Sequence, residues 1–326
     1  MTQKTRSWKR ILSVLTSAAC FGGNGASASS ASPTTPFTEG TIPFPYHGET
    51  FHTYYKVFGD IQNRAHTPLV VLHGGPGLTH DYMIPISDLA HTANIPVVFY
   101  DQLGNGRSTH LREKPADFWS VELFMDELSN LLNHFSIQDS FHLLGHSWGG
   151  ELGTEFEVQR KPKGLKKLVI SDTPASSALW GQSLAQLMQT MPQDVQDGLM
   201  VGLADPQKYW AALQVFSAVY GCTLKHLPAA YNASFLAIFG PHGDTTVASA
   251  PFSNDWTIVD RIPQITVPTL LLNGHRDMAQ DFVMEPFFKG IPDVKWTTFM
   301  NSTHTPFWEE RARYMEVVGD YLKKTD

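Results

Sequence analysis

A serine lies between glycines at residues 145–150, in the sequence Gly-His-Ser-Trp-Gly-Gly. The preceding residues 141–144 are mostly apolar and predict a buried parallel strand, whereas apolar residues at positions 152, 156 and 158 predict a helix. A serine in a tight turn from strand to helix is typical of a nucleophile elbow. This arrangement requires a sheet whose strands are followed by helices, with Ser147 held at the edge of that sheet.

Strand-like and helix-like segments alternate from about residue 41 onward. Continuous apolar runs, as buried parallel strands require, occupy residues 69–72, 97–100, 167–170 and 269–272. Three further segments are predicted strands as well, at residues 41–46, 51–59 and 294–300. With the four apolar runs and the strand before the elbow, they make eight predicted strands. Helical spacing marks residues 82–91, 121–135, 282–289 and 308–323. The alternation predicts an α/β fold with a mostly parallel, eight-stranded sheet and helices on both faces.

The interval at residues 174–260 interrupts this alternation. It is helical in pattern, rich in aromatic residues, and lies between two predicted strands. We therefore expect an inserted helical cap over the C-terminal edge of the sheet, with most of its aromatic side chains packed inside the cap and two or three facing a pocket. The predicted organisation is a leader at residues 1–32, a core in two parts at 41–173 and 261–326, and the cap.

The first 32 residues differ in composition from the rest of the chain. Four basic residues precede an apolar stretch at residues 11–21, and small residues follow up to residue 32. This is the pattern of a secretory signal peptide, and the apolar stretch is too short to span a bilayer. We predict a secreted protein with no membrane segment in its mature form. The alternatives are a mitochondrial presequence, or a disordered tail on a cytoplasmic protein.

The composition argues against several other functions. The formal net charge is −7 and no basic run is interleaved with aromatic residues, so no nucleic-acid partner is expected. The sequence contains no Cys/His cluster with zinc spacing and no P-loop. We expect neither a metal nor a cofactor, and we expect a small molecule or a short peptide as the partner. The oligomeric state stays open, as does glycosylation at the sequons of Asn232 and Asn301.

The hydroxyl of Ser147 needs a base to take its proton and an acid to orient that base. In this topology the three residues follow the chain order Ser, Asp, His. Asp277 comes shortly after the predicted strand at residues 269–272, and His304 follows the last predicted strand. Loops bring both to the same edge of the sheet, so we predict Ser147, Asp277 and His304 as the catalytic residues. Asp281 is the alternative acid.

The oxyanion that forms when a serine attacks a carbonyl needs two backbone N–H donors. Trp148, directly after the serine, is expected to supply one. The second is expected from Gly75, in the sequence His-Gly-Gly-Pro-Gly at residues 73–77, because glycines let the backbone approach a substrate closely.

Five segments of the chain form a specific combination: residues 73–77, 101–108, 145–150 and 274–281, and His304 with Trp-Glu-Glu at 308–310. Together they resemble the proline iminopeptidase family of α/β-hydrolases, including its fungal amino-acid-amidase-like branch, over most of residues 41–326. The resemblance implies an α/β-hydrolase fold with a helical cap. It also implies a serine hydrolase that removes an N-terminal residue from small peptides or amides, and it supports Gly75 and Trp148 as oxyanion donors.

Family enzymes that cleave a free N-terminal residue hold its ammonium group with carboxylates, and two of those positions differ here. Met278 follows the acid of the triad, and the cap motif has Gly243 where a glutamate is expected, with Asp244 beside it. Losing both carboxylates would weaken ammonium binding by roughly two to four powers of ten. Glu151 is another acid on the elbow helix, where the helix dipole alone also favours a carboxylate. The candidate substrate-contacting residues are Gly74, Glu151, Asp244 and Met278.

Three functions are compatible with these observations. The first is an aminopeptidase or amino-acid amidase. The second is a hydrolase or acyltransferase that uses the same serine chemistry on a neutral ester, lactone or amide in specialised metabolism, as Met278 and the aromatic cap favour. The third is a ligand receptor, which has no need of a base and its orienting acid. We predict a serine hydrolase that cleaves a small amide or peptide, with the neutral substrate as the alternative.

Overall fold

An eight-stranded sheet lies at the centre of the computed structural model, which describes residues 36–63 and 65–324. The strands are β1 (Phe37–Tyr46), β2 (Glu49–Phe58), β3 (Leu69–Leu72), β4 (Val97–Tyr100), β5 (Phe141–His146), β6 (Leu165–Ser171), β7 (Thr269–Gly274) and β8 (Val294–Phe299). Their order across the sheet is β1-β2-β4-β3-β5-β6-β7-β8. The pairs β1–β2 and β2–β4 are antiparallel and the remaining pairs are parallel. The predicted sheet is confirmed, whereas the predicted leader lies outside the described residues.

The central strands are largely apolar because helices cover both faces of the sheet. Every residue of β3, β4 and β5 is buried. Neighbouring residues such as Val70 and Val71 belong to two different hydrophobic clusters. Since successive side chains of a strand point to opposite faces, one cluster lies on each side of the sheet. The sheet is thereby a firm support for the loops at its edge.

The helices follow the strands as the sequence pattern predicts. The α-helices in the described part of the chain are α1 (Leu89–Thr92), α2 (Val121–His134), α3 (Trp148–Arg160), α4 (Ser177–Met188), α5 (Gln193–Met200), α6 (Pro206–Tyr220), α7 (Ala229–Phe239), α8 (Asp281–Gly290), α9 (Pro306–Glu309) and α10 (Arg311–Lys323). Short 3-10 helices span His80–Asp88, Ala116–Phe118, Gly202–Ala204, Pro251–Ser253 and Val259–Gln264.

Two helices differ from their prediction. The sequence predicts one helix over residues 82–91, whereas the chain forms the 3-10 helix His80–Asp88 followed by the short α1. Pro85 lies inside this segment and has no N–H for an α-helical hydrogen bond. The predicted closing helix at residues 308–323 is divided into α9 and α10, because Glu310 has a non-helical backbone between them.

The interval predicted as a cap is helical. It contains α4 to α7 between β6 and β7, and its described residues add no strand to the sheet. Ser234 on α7 fastens it to the core, accepting a hydrogen bond from the Thr79 N–H (2.8 Å) and donating one to the Thr79 carbonyl (3.1 Å). The domain boundaries themselves stay a prediction.

Among the helices of residues 36–63 and 65–324, none combines the length and the hydropathy needed to cross a bilayer.

Candidate active site

The order of the strands reverses at β3, because the chain passes from β3 to β4 on one side and then to β5 on the other. In open α/β sheets, ligands bind beside the carboxyl ends of the strands at such a reversal. Leu72 at the end of β3 pairs with Gly145 in β5. The Gly-rich loop at residues 73–77 and Ser147 therefore emerge side by side.

Ser147 occupies a strained turn. Its backbone angles, φ 54° and ψ −125°, lie in a region that non-glycine residues rarely adopt. The neighbouring positions require glycine: a Cβ on Gly145 would overlap the carbonyl of Gly149, and a Cβ on Gly149 would overlap the carbonyl of Leu72. The turn therefore holds Ser147 at the N-terminus of α3, where the helix dipole favours negative charge.

His304 and Asp277 come together although they follow different strands, β8 and β7. The Nδ1 of His304 lies 2.7 Å from Oδ1 of Asp277, and that oxygen also accepts from the Ala279 N–H at 2.8 Å. Burial alone would raise the pKa of Asp277, but the charge of His304 and these hydrogen bonds outweigh it and hold the pKa below its usual range. Asp277 is thus a buried carboxylate that can orient the His304 ring.

A second buried acid, Asp172, lies in the same place. A carboxylate oxygen of Asp172, one of Asp277 and a ring nitrogen of His304 all lie within 4.8 Å of one another. These three are the residues of the described chain grouped closely enough to share a metal ion, but Asp277 and His304 already hydrogen-bond each other as an acid–base pair does. The alternative acid, Asp281, instead accepts from the Asn273 amide at 2.8 Å. Sequence reasoning missed Asp172, because an acid after a strand is common and its partner lies about a hundred residues away.

A chain of hydrogen bonds connects the Gly-rich loop to His304. The Nε2 of His146 lies 2.7 Å from the His304 carbonyl, which can only accept, so Nε2 carries the hydrogen. The Nδ1 of His146 then accepts from the Tyr82 hydroxyl (2.7 Å), whose oxygen accepts from the Gly74 N–H (2.8 Å). Burial, followed by the charge of His304, lowers the pKa of His146 to about 3, so this ring is neutral. Neither Tyr82 nor His146 was among the predicted site residues.

The predicted oxyanion donors lie around Ser147. The Gly74 N–H is taken by Tyr82, and within the described residues the Gly75 N–H has no such partner. Trp148 is the first residue of α3, and the first N–H groups of a helix have no acceptor within it. The Trp148 indole donates to Gln102 at 2.9 Å, which fixes this residue against the loop after β4. Both backbone N–H groups are thus candidates for binding an oxyanion.

A cavity of about 340 Å³ opens above Ser147 and His304. Among its lining residues in the described chain there is no aspartate, glutamate, lysine or arginine. The sequence predicts two or three cap aromatics facing a pocket, whereas five line it, namely Trp180, Tyr209, Tyr231, Phe235 and Phe239. Trp210 is not among the lining residues and stacks against two of these rings, Phe235 and Phe239, with ring centroids 5.6 Å and 4.8 Å away.

The candidate substrate-contacting residues divide into two groups. Met278 lines the cavity, with its carbonyl held by the Ser183 hydroxyl at 2.5 Å. Asp244 is not among the lining residues, and its carboxylate faces protein partners: the His110 ring (2.6 Å), the Thr246 hydroxyl (2.6 Å) and Arg112 (3.3 Å).

The other two candidates also lie away from the cavity surface. The Gly74 N–H belongs to the hydrogen-bond chain through Tyr82, and Gly74 is absent from the lining residues. Glu151 is likewise absent from them. Burial, followed by the nearby charge of Glu155, holds the pKa of Glu151 well above its usual range.

Comparison with known proteins identifies the fold and the family of this chain. A family model for the α/β hydrolase fold matches residues 67–311. The proline iminopeptidase of Lactobacillus delbrueckii subsp. lactis is 30% identical over 301 residues, covering 89% of this chain and 99% of the relative. The crystal structure of VinJ superposes with a TM-score of 0.80 at 40% identity, covering 88% of this chain and 98% of VinJ.

The proline iminopeptidase of Mycobacterium smegmatis is a further structural neighbour, with a TM-score of 0.72 and 32% identity over 87% of this chain and 97% of its own. The expected fungal amino-acid-amidase-like branch stays a prediction. The matches extend over nearly the full length of these relatives, so the chain belongs to the α/β-hydrolase fold family and, within it, to the proline iminopeptidase family of enzymes.

Proposed function

We propose that this enzyme is a serine hydrolase in which Ser147 is the nucleophile, His304 the general base and Asp277 the acid that orients His304. Three observations support the assignment: the strained turn at Ser147, the 2.7 Å hydrogen bond between His304 and Asp277, and the single cavity that Ser147 and His304 both line. A hydroxyl of this kind becomes nucleophilic when the base takes its proton.

The reaction proceeds in two halves. Ser147 Oγ attacks the substrate carbonyl while His304 Nε2 takes the hydroxyl proton, and the N–H groups of Gly75 and Trp148 donate to the oxygen that becomes negative. The tetrahedral intermediate collapses, the bond to the leaving group breaks, and His304 returns the proton to that group. A water molecule then attacks the acyl-enzyme while His304 takes its proton. The bond between the acyl carbon and Ser147 Oγ breaks, His304 returns the proton to Oγ, and the acid product leaves.

The substrate is proposed to be small and neutral where it contacts the cavity. The observation that carries this proposal is the lining itself, in which aromatic and aliphatic side chains surround Ser147 and the described residues supply no carboxylate. An ammonium group placed there would lose its hydration without gaining a charged partner, and such a loss is expensive. An ester, a lactone or an N-acylated amide avoids that loss.

The second candidate is proline iminopeptidase activity on substrates with a free N-terminal amine. Family membership and the relatives of that name favour it. In this cavity, carbonyl and hydroxyl oxygens would have to hold the amine, because positions 243 and 278 carry glycine and methionine instead of carboxylates.

A substrate comparison separates the two candidates. The kcat/KM values would be measured for prolyl- and alanyl-2-naphthylamide, for their N-acetylated forms, and for short acyl 4-nitrophenyl esters, with Ser147→Ala as the control. We expect the N-acetylated amides and the esters to be preferred by at least about tenfold, since one charge-assisted hydrogen bond contributes about 1.5–3 kcal/mol. Efficient turnover of the free-amine amides that N-acetylation abolishes would establish the second candidate instead.

A further inference from the structure

Asp172 lies at a point of the sheet edge where three strands meet. It follows β6 directly, and Ser171 before it pairs with His146 of β5. On the other side, the Asp172 N–H donates to the Leu272 carbonyl of β7 at 2.7 Å. The register therefore brings its side chain between the nucleophile strand and the strand that leads to Asp277.

The surroundings of Asp172 hold it firmly. Its side chain is fully buried, and its backbone has φ 53°, a left-handed conformation that aspartate and asparagine tolerate better than most residues. The Ser171 hydroxyl donates to Oδ2 at 2.5 Å and the Gly274 N–H donates to Oδ1 at 3.3 Å. The Tyr314 hydroxyl in turn donates to Ser171 Oγ at 3.0 Å.

The two carboxylate oxygens of Asp277 differ in their hydrogen-bond partners. Its Oδ1 accepts from His304 and Ala279, whereas no N–H or hydroxyl group of the described residues reaches the buried Oδ2. A carboxylate oxygen of Asp172 lies within 4.8 Å of a carboxylate oxygen of Asp277. Two buried carboxyl groups this close are not both ionised, so one of them keeps a proton.

The proton belongs on Asp172. Asp277 keeps its charge because His304 and Ala279 donate to it. Burial, followed by the charge of Asp277, raises the pKa of Asp172 well above its usual range.

The other titratable groups that face the pair do not alter this assignment. The Nε2 of His146 lies 3.9 Å from Asp172, and burial holds the pKa of His146 near 3. Burial also raises the pKa values of Tyr82 and Tyr314. These three groups are therefore neutral near pH 7, and none of them adds a charge beside the two carboxyl groups.

We propose that Asp172 is a positioning residue for the catalytic triad: its protonated carboxyl donates a hydrogen bond to Oδ2 of Asp277, so that both oxygens of that carboxylate are fixed. The proposal rests on the triad assigned above. The hydrogen bond from Asp172 prevents the Asp277 carboxylate from rotating away from His304. It also withdraws part of the negative charge that Asp277 directs at the His304 ring. Asp172 thereby limits how basic His304 becomes.

Three variants test this role. Asp172→Ala removes the donor, and Asp172→Asn keeps a donor in a residue that suits the same backbone conformation. Asp281→Asn is the matched control, an acid that follows β7 and pairs with Asn273. The pKa of His304 would be followed by NMR of protein labelled with ¹⁵N-histidine, with His304→Gln for assignment and thermal unfolding to check folding.

In Asp172→Ala we expect the pKa of His304 to rise by about half a unit to one unit, because Asp277 without its second hydrogen bond attracts the imidazolium more strongly. We expect kcat to fall about tenfold or more, and Asp172→Asn to return both quantities most of the way to the parent values. An unmoved His304 pKa in Asp172→Ala would overturn the proposal, as would an equal shift in Asp172→Asn or in Asp281→Asn.

The NMR readout needs no turnover. A parent enzyme that hydrolyses none of the substrates tested would count against the proposed function, while the His304 titrations would still decide the role of Asp172.

Discussion

Tyr82 connects two parts of the site that lie far apart in the sequence. Its hydroxyl accepts from Gly74 in the Gly-rich loop and donates to His146, which in turn donates to the backbone of His304. Each of these groups is buried, so each needs its partner. At the scale of single residues, the site is therefore held together by neutral hydrogen bonds beneath the residues proposed to carry out the reaction.

Tyr82→Phe should destabilise the protein and slow the reaction. It leaves the Gly74 N–H and the His146 Nδ1 without partners, at a cost of about 1–3 kcal/mol in the free energy of unfolding. We also expect a fall in kcat, because the loop and His304 lose their common anchor. Urea unfolding and steady-state kinetics would measure both effects.

Tyr100→Phe is the matched control for this change. Tyr100 is equally buried, but its hydroxyl has no hydrogen-bond partner among the described residues. Removing that hydroxyl should leave the free energy of unfolding within about 1 kcal/mol of the parent value, or raise it. Equal losses in the two variants would contradict the importance of the Tyr82 hydrogen bonds.

Among the structural elements, α2 is fastened to the sheet by a buried carboxyl group. Glu127 accepts from the Thr53 hydroxyl on β2 at 2.5 Å and from the Leu103 N–H after β4 at 3.0 Å. Burial outweighs these hydrogen bonds and raises the pKa of Glu127 from 4.5 to about 7. Below pH 4.5 the group is protonated in both the folded and unfolded states, so its burial carries no charge penalty there. Between pH 4.5 and 7 only the unfolded state ionises, so stability falls with rising pH, and above pH 7 the loss is complete.

Glu127→Gln should therefore be stabilising at high pH. An amide can donate to Thr53 Oγ1 and accept from the Leu103 N–H without the charge, and a shift of this size corresponds to about 3 kcal/mol. We expect the advantage in Tm over the parent to grow between pH 5 and 7 and to stay constant above pH 7. Scanning calorimetry from pH 5 to 8.5 would test this, with Glu122→Gln on the exposed side of α2 as the control. An advantage for Glu127→Gln that does not change with pH would contradict the account.

The elements themselves were predictable from the sequence because their signals are local. The apolar runs of β3 and β4, and the glycines around Ser147, follow from the requirements of one strand or one turn. The hydrogen bonds around the site do not, since Tyr82 and His146 lie 64 residues apart and His146 and His304 lie 158 apart. Asp172 was missed for the same reason: its role depends on a neighbouring strand and on burial, neither of which a local pattern contains.

In the whole molecule, the sheet edge and the cap have different tasks. The residues proposed for catalysis follow β5, β7 and β8, whereas the aromatic walls of the cavity come mainly from the helical interval between β6 and β7. Met278 lies where the two meet. The substrate class should therefore change through residues of the cavity wall while the reaction type stays the same.

Met278→Glu should introduce recognition of a free amine. We expect the ratio of kcat/KM for alanyl-2-naphthylamide over its N-acetylated form to rise about tenfold, as one charge-assisted hydrogen bond predicts. Met278→Gln is the control of matched size without charge and should leave the ratio near the parent value. A rise in both variants would indicate a change of cavity shape rather than charge recognition.

The central claim, that Ser147 is the nucleophile activated by His304 and Asp277, is tested most directly by covalent labelling. The parent enzyme and the variants Ser147→Ala and His304→Ala would be treated with a fluorophosphonate, and the adduct would be located by intact-mass and peptide mass spectrometry. The account predicts one adduct on Ser147 in the parent, none in Ser147→Ala, and labelling slowed by orders of magnitude in His304→Ala. An unlabelled parent enzyme, or an adduct that persists in Ser147→Ala, would contradict it.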